Sequence, residues 1–234
     1  MAAYFTEETL DFLEENRLQN SREWFAAHHE DYVRYVTGPL NRLAEALAPA
    51  IAKVDAELLT EPRRVVSRIN RDLRYCHDGV LYRNYMWLSW HRERDAYPGW
   101  PELYFLLSPD STCWGCGFYM PPTGTMQILR RMVLAGDPRF LTAQKAAQGY
   151  TIDGERYRKS KYPHAPAELR EWLDRKSLSV ERADTVKAQY ADGLDRRIAA
   201  DLEALAPVYA FLSAVKEAAR EEDAEGSESA FRRR

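Results

Sequence analysis

From Arg63 to Asn84 the chain reads RRVVSRINRDLRYCHDGVLYRN, and this window holds the residues best suited to chemistry. Six arginines (63, 64, 68, 71, 74 and 83) against two acids, Asp72 and Asp78, leave a local charge of +4 in a chain of net charge −3. A guanidinium is planar, permanently charged and forked, so it matches two oxygens of a phosphate or carboxylate. Arg64 and Arg68 fall on one face of a strand because side chains alternate with period two. Arg71 and Arg74 follow in a polar loop, with Asp72 and Asp78 at hand as a base, a metal ligand or internal counter-ions. The competing reading is a basic edge whose arginines are satisfied by Asp72, Asp78, Glu57 or Glu61.

A second candidate is Thr123-Gly124-Thr125, where a proline-rich turn enters a helix with Thr123 or Thr125 as cap. The start of a helix offers amide donors and a partial positive charge, and a glycine there lets a ligand approach. Lys159, Lys161 and His164 around Tyr162-Pro163 form another basic patch, which by default is solvated surface. Cys113-Trp114-Gly115-Cys116 has C-x-x-C spacing, but it lies in a strand where the two thiols point to opposite faces, so both read as inert. Zinc would need further ligands, and only Cys76, His77 or His91 offer themselves, so no metal and no cofactor are expected. His77-Asp78 is an adjacent pair whose geometry favours a structural histidine over an acid–base pair. No nucleophile elbow, zincin, phosphate-loop or dinucleotide fingerprint occurs.

These residues need a scaffold, and 234 residues with 45% hydrophobic content suffice for a buried core. Thr6 caps a first helix to about Leu18, and Asn20 with Glu23 forms a capping box for a second. Gly38-Pro39 breaks or kinks the second helix, and an alanine-rich third runs from about Leu40 toward Val54. Arg64 to Ile69 reads as a strand, followed by a turn at Asp78-Gly79. Tyr85–His91, Glu102–Ser108 and Thr112–Tyr119 read as strands whose connections are too short for crossover helices. Helices then run to about Ala135, from Asp137 or Pro138 to about Gln148, and from Pro166 to Asp174. A hairpin sits around Asp153-Gly154, and further helix covers 181 to about 219. The fold class is α+β, a mostly antiparallel sheet flanked by N- and C-terminal helices, as one domain over 1–219 with a disordered charged tail at 220–234. Three cysteines and the absence of a signal peptide or membrane-length apolar run point to the cytoplasm.

Several motifs recur together: Phe5 to Leu13, Asn20 to Phe25 (N-x-R-E-W-F), Arg68 to Tyr75 (R-I-x-R-D-x-R-[FY]), Gly115 to Pro121 (G-x-G-[FWY]-x-x-P) and Pro166 to Lys176. In order and spacing they resemble the bacterial family known as domain of unknown function 2461, over about residues 4 to 215. The resemblance implies a single α+β domain and carries no established activity. Relatives follow the arginine segment with a pattern like S-x-D-K-x-P-Y-K. Here Gly79 stands for the lysine and Leu81 for the proline, while Arg83 keeps the last charge.

The sequence therefore points to a protein that binds a phosphate- or carboxylate-bearing small ligand. The expected contacts are Arg68, Arg71, Asp72, Arg74 and Arg83, supported by Thr123, Gly124 and Thr125. One alternative is an enzyme acting on phosphoesters or nucleotides. Another is an interaction module docking through Trp87, Trp90, Tyr97, Trp100 and Tyr104. Nucleic acid is not the expected partner because the chain as a whole is acidic, although basic groups beside aromatic rings are what a single strand uses.

Overall fold

The N-terminal helices form where the sequence offers caps and an apolar stripe. A computed structural model describes residues 3–74 and 76–231, with side chains described as far as Ala224. Helix α1, Glu7–Gln19, starts after Thr6, whose amide donates to Thr9 Oγ1 at 3.3 Å. It ends at Asn20 in the left-handed region, φ 46°. The second cap is therefore Ser21, one residue later than the capping box predicts, and its hydroxyl accepts from the Trp24 amide at 3.2 Å to open α2, Arg22–Ala27. Helix α3, His29–Tyr32, passes into a π-helical turn, Val33–Thr37, and on into α4, Gly38–Val54. Of the two outcomes expected at Gly38-Pro39, the helix is not broken; its winding widens over the turn just before Gly38. Proline is tolerated in a first turn, and a Cβ on Gly38 would stand 2.7 Å from the Val33 carbonyl oxygen, so glycine suits the widened turn.

The expected strand at Arg64–Ile69 is not formed. Pro62–Val65 makes a single helical turn, α5, because Pro62 presets its own φ at the start. What remains of the pairing is two isolated antiparallel bridges, Val66 with Leu88 and Asn70 with Tyr82. The aromatic runs are strands as expected: β1 Met86–Trp90, β2 Glu102–Leu107 and β3 Thr112–Gly117. After them come α6 Thr123–Leu134, α7 Pro138–Ala146, β4 Thr151–Asp153 and α8 Ala167–Leu173. Strand β5, Ser179–Asp184, falls where helix is expected, and it pairs antiparallel with β4 (Ile152 opposite Val180) in place of a hairpin at Asp153-Gly154. A 3₁₀ turn at Val186–Tyr190 leads to α9 Leu194–Ala204 and α10 Ala206–Phe231. Residues 220–231 are helical where their charge reads as a disordered tail, since Glu, Ala and Arg favour both solvation and helix. The fold is α+β, with an open antiparallel sheet in the order β1-β2-β3-β5-β4.

Packing groups the residues into two compact units, each assembled from separate stretches of chain. The first comprises Met1–Trp90, Tyr104–Trp114 and Arg182–Glu203. Its core takes Leu40, Leu43, Leu47 and Ile51 from α4, all fully buried, with Leu88 and Trp90 from β1. Phe5 stacks on Phe105 at 5.9 Å, and Asp201 of α9 accepts from the Trp114 indole at 2.8 Å while paired with Arg182. The second unit comprises His91–Leu103, Gly115–Glu181 and Ala204–Arg234. Phe140, Trp172 and Phe211 meet there at 5.3–6.3 Å. Full burial of such side chains stabilises by roughly 1.5–3 kcal/mol each.

The two glycines of the G-x-G motif have a steric reason. A Cβ on Gly115 would lie 2.2 Å from the Val180 carbonyl oxygen, and one on Gly117 would lie 2.6 Å from that of Leu178. Backbone occupies the space, so no side-chain rotation relieves the overlap. Gly115→Ala is expected to lower stability by about 1–3 kcal/mol, read as a lower denaturant midpoint. A midpoint equal to wild type would show that β5 can withdraw from β3 at no cost.

Candidate functional site

The arginine window folds as a loop pinned from outside. Asn20 accepts from the Leu81 amide at 2.7 Å and donates to the Gly79 carbonyl at 3.0 Å. Gly79 has φ +74°, as the Asp78-Gly79 turn requires. The Asn20 of N-x-R-E-W-F thus fastens the loop instead of capping the next helix. Tyr75 of the arginine motif lies outside the described residues.

Within the loop, nearby carboxylates occupy two of the guanidinium groups. Arg71 Nη1 donates to both oxygens of Asp78 at 2.8 Å. Arg74 sets its Nε and Nη2 against the two oxygens of Asp72 at 2.9 and 2.6 Å, the same side-on fork that would read a phosphate. Arg83 donates to the carbonyls of Arg68 (2.7 Å) and Asn70, and lies 5.0 Å from the centre of the Trp87 ring. Arg68 is exposed. Arg68, Arg71, Asp72, Arg74 and Arg83 all belong to the first unit, whereas Thr123, Gly124 and Thr125 belong to the second.

The charge state of the loop follows from this pairing. The hydrogen bond from the Arg74 side chain, then that from its amide, holds the Asp72 carboxyl at about 2. Arg71, followed by the Val80 amide, holds Asp78 below the usual carboxylate range. His77 is exposed, and its neighbour Asp78 is committed to Arg71, so the two form no acid–base pair.

The helix start that would support the arginines has other company. Helix α6 begins at Thr123 with Pro122 at the cap position, so neither Thr123 nor Thr125 is the cap and no side chain closes the first turn. A cavity of about 570 Å³ opens there, walled by Thr123, Gly124, Arg130, Tyr157, Lys161 and Tyr162 among others. A Cβ placed on Gly124 would meet nothing within 4 Å. Lys161 sets its ammonium 4.1 Å from the centre of the Tyr157 ring. Lys159 and His164, grouped with it in sequence, are exposed and are not part of the wall.

Arg130 was not a candidate from sequence, because an arginine inside a helix carries no motif. It is 6% exposed and donates to the carbonyls of Leu173 (2.9 Å) and Arg175 (2.5 Å) and to the Tyr157 hydroxyl (3.3 Å). These acceptors are neutral, so they satisfy the donors without cancelling the charge. Glu222 and Asp223 also line the cavity, and Glu222 pairs with Arg131.

The remaining sequence candidates do not assemble into a site. Cys116 is buried and its thiol is pushed up to about 12 by that burial, which makes it a poor nucleophile or ligand. Among the described residues no group of three or more metal-binding side chains occurs. Of the rings proposed for docking, Trp90 is fully buried and Trp100 is 6% exposed, while Trp87 and Tyr104 are half-buried. No single described helix is long and apolar enough to cross a membrane.

The fold is α+β, and Arg71, Arg74, Arg83 and Arg130 are held by carboxylates or main-chain carbonyls. The model of a family described as a conserved hypothetical protein (DUF2461) matches residues 8–211, and the chain belongs to that family. No curated protein and no solved structure matches the chain significantly.

The Arg74–Asp72 pair gives a direct test of the loop geometry. Because the folded value of Asp72 is depressed, its contribution is present above the ordinary carboxylate range and is lost as pH falls through about 2. An NMR titration should find the Asp72 midpoint near 2 in the wild type and closer to the ordinary value of 3.8 in Arg74→Ala. Equal midpoints in the two proteins would contradict the pairing.

Proposed function

We propose that this protein binds a small anionic ligand, bearing phosphate or carboxylate, in the cavity at the start of α6. The observation that carries the reading is an uncapped helix start facing open space at Gly124, with the Lys161 ammonium in the same wall. Amides at a helix start and a nearby ammonium together favour an anion. Arg130 adds a buried positive charge whose acceptors are uncharged. A volume of about 570 Å³ is the size of a small-molecule site. The arginines at 71 and 74 support the reading less, since each already holds a carboxylate.

Thermal unfolding with inorganic phosphate and with acetate tests this. A ligand at 100 times its Kd stabilises the native state by about 2.7 kcal/mol. The shift should vanish in Lys161→Ala and persist in Arg71→Ala. Gly124→Ala should keep or slightly raise basal stability, by about 0.4–1 kcal/mol, while weakening binding by filling the approach. A shift lost in Arg71→Ala and kept in Lys161→Ala would move the site back to the arginine loop.

A second reading is supported by Glu222 and Asp223 in the same wall, where a carboxylate can take the proton of a water that attacks the phosphorus of a bound phosphoester and expels its alcohol. Turnover of p-nitrophenyl phosphate that is lost in Asp223→Asn would favour it. Binding without turnover leaves the ligand-binding reading in place.

A further inference from the structure

Among the described residues the buried Lys, Arg, Asp and Glu side chains are Arg130, Asp174, Arg175, Asp195 and Lys216. Arg130 and Arg175 donate to main-chain carbonyls, Asp174 accepts from the Lys161 amide, and Asp195 accepts from the Tyr4 hydroxyl. Lys216 is the exception. It is 8% exposed, and its ammonium makes no hydrogen bond or ion pair with any described residue. A lysine is almost never so buried without a partner.

The Nζ of Lys216 lies against the Pro98-Gly99 turn, both of whose residues are exposed. Gly99 sits in the left-handed region, φ +66°, so the turn itself favours glycine. The same choice leaves the ammonium uncovered, since a Cβ there would stand 3.6 Å from Nζ and 3.9 Å from Pro122 Cδ. This Nζ is not among the polar atoms sealed from solvent, so it opens at the surface beside the turn. Two more cations flank the turn. Arg92 stands over the rings of Tyr97 and Trp100 at 5.0 and 4.8 Å, and Arg220, one helical turn beyond Lys216 on α10, is 6.0 Å from the Tyr97 ring. Of the acids on these stretches, Glu102 pairs with Arg94 at 3.0 Å, Glu217 lies 3.8 Å from Arg220, and Glu93 and Asp95 are exposed.

We infer that Lys216 holds a small monatomic anion, with chloride as the physiological case, against the Pro98-Gly99 turn. A buried charge is costly unless it is paired, and one ammonium matches one negative charge. The opening sets the size. So little of the side chain is exposed that an ion of one atom fits the approach better than a carboxylate or phosphate with its bulk. The site is separate from the α6 cavity, whose wall does not include Lys216.

The probe is sodium chloride, exchanged for sodium gluconate at constant total salt and followed by amide NMR in wild type, Lys216→Met and Lys161→Ala. Saturable shifts are expected at Gly99, Trp100 and residues 215–217 in wild type and in Lys161→Ala, and none there in Lys216→Met. Thermal unfolding is the second readout. Lys216→Met deletes no bond within the protein, so in gluconate its midpoint should be no lower than that of wild type. Chloride should then raise the wild-type midpoint more than that of the variant. A lower midpoint of Lys216→Met in gluconate would show that the ammonium has a partner in the protein, against the inference. Unmoved Gly99 and Trp100 amides in folded wild type overturn it, as do shifts that persist in Lys216→Met, which mark an adventitious ion only. Acetate or phosphate moving the same amides as strongly as chloride would refute a single-atom ligand. The α6 cavity is read at Thr123 to Thr125, so failure at Gly99 leaves that reading standing, and failure there leaves this one.

Discussion

The guanidinium of Arg130 is the interaction on which the candidate site depends. It projects from α6 to the end of α8, where it donates to the Leu173 carbonyl and, two residues past the helix, to that of Arg175. A cation at a helix C-terminus also meets the negative end of the helix dipole. Hydrogen bonds to a charged group contribute roughly 1.5–3 kcal/mol each, so this residue is a substantial fastening. Its third bond, to the Tyr157 hydroxyl, orders a ring in the wall of the cavity. Tyr157 is fixed from the other side as well, through its amide to Asp174 at 2.9 Å, and Asp174 in turn holds the Lys161 amide. One buried cation with neutral acceptors thereby sets the position of the groups that would meet a ligand.

The arginine loop illustrates the opposite use of the same side chain. Its positive charge by sequence is large, but Asp72 and Asp78 return much of it locally, two residues and seven residues away along the chain. Exposed pairs of this kind contribute little to stability, commonly below about 1 kcal/mol. Arg74 gives its Nε–Nη2 fork to Asp72, while Arg71 meets both oxygens of Asp78 through Nη1. Arg83 is spent on main-chain carbonyls, where it ties the bridge segment of Arg68 and Asn70 to the strand entry at Trp87.

Much of the scaffold was legible because its signals are local. Thr6 with Glu7 and Glu8, the Asp137 cap of α7 and the aromatic runs of β1 to β3 all form where their residue types place them. Strand β5 was not legible. Ser-Val-Glu-Arg-Ala-Asp has a helix-like composition, and only Val180 is buried within it; its strand character comes from pairing with Ile152 and from glycines at 115 and 117 that admit its backbone. Arg64 to Ile69 departs for the converse reason: its β-branched run favours a strand, but Pro62 starts a helical turn that takes in Arg64 and Val65. At the site, Thr123 to Thr125 were visible as a helix start. The company they keep was not, because Lys161 reaches the cavity wall only through tertiary packing around Tyr157, and Arg130, though on the same helix, is buried only by its contacts with Leu173, Arg175 and Tyr157. The sequence leaves the partners of Arg71 and Arg74 open, because composition alone does not choose between an internal and an external anion.

The most direct measurement is an amide NMR titration of the assigned protein with inorganic phosphate. The account predicts saturable shifts at Thr123, Gly124 and Thr125 and around Lys161, with Arg71 to Arg74 unmoved. Saturable shifts confined to Arg68–Arg83, with the start of α6 unmoved, would contradict it.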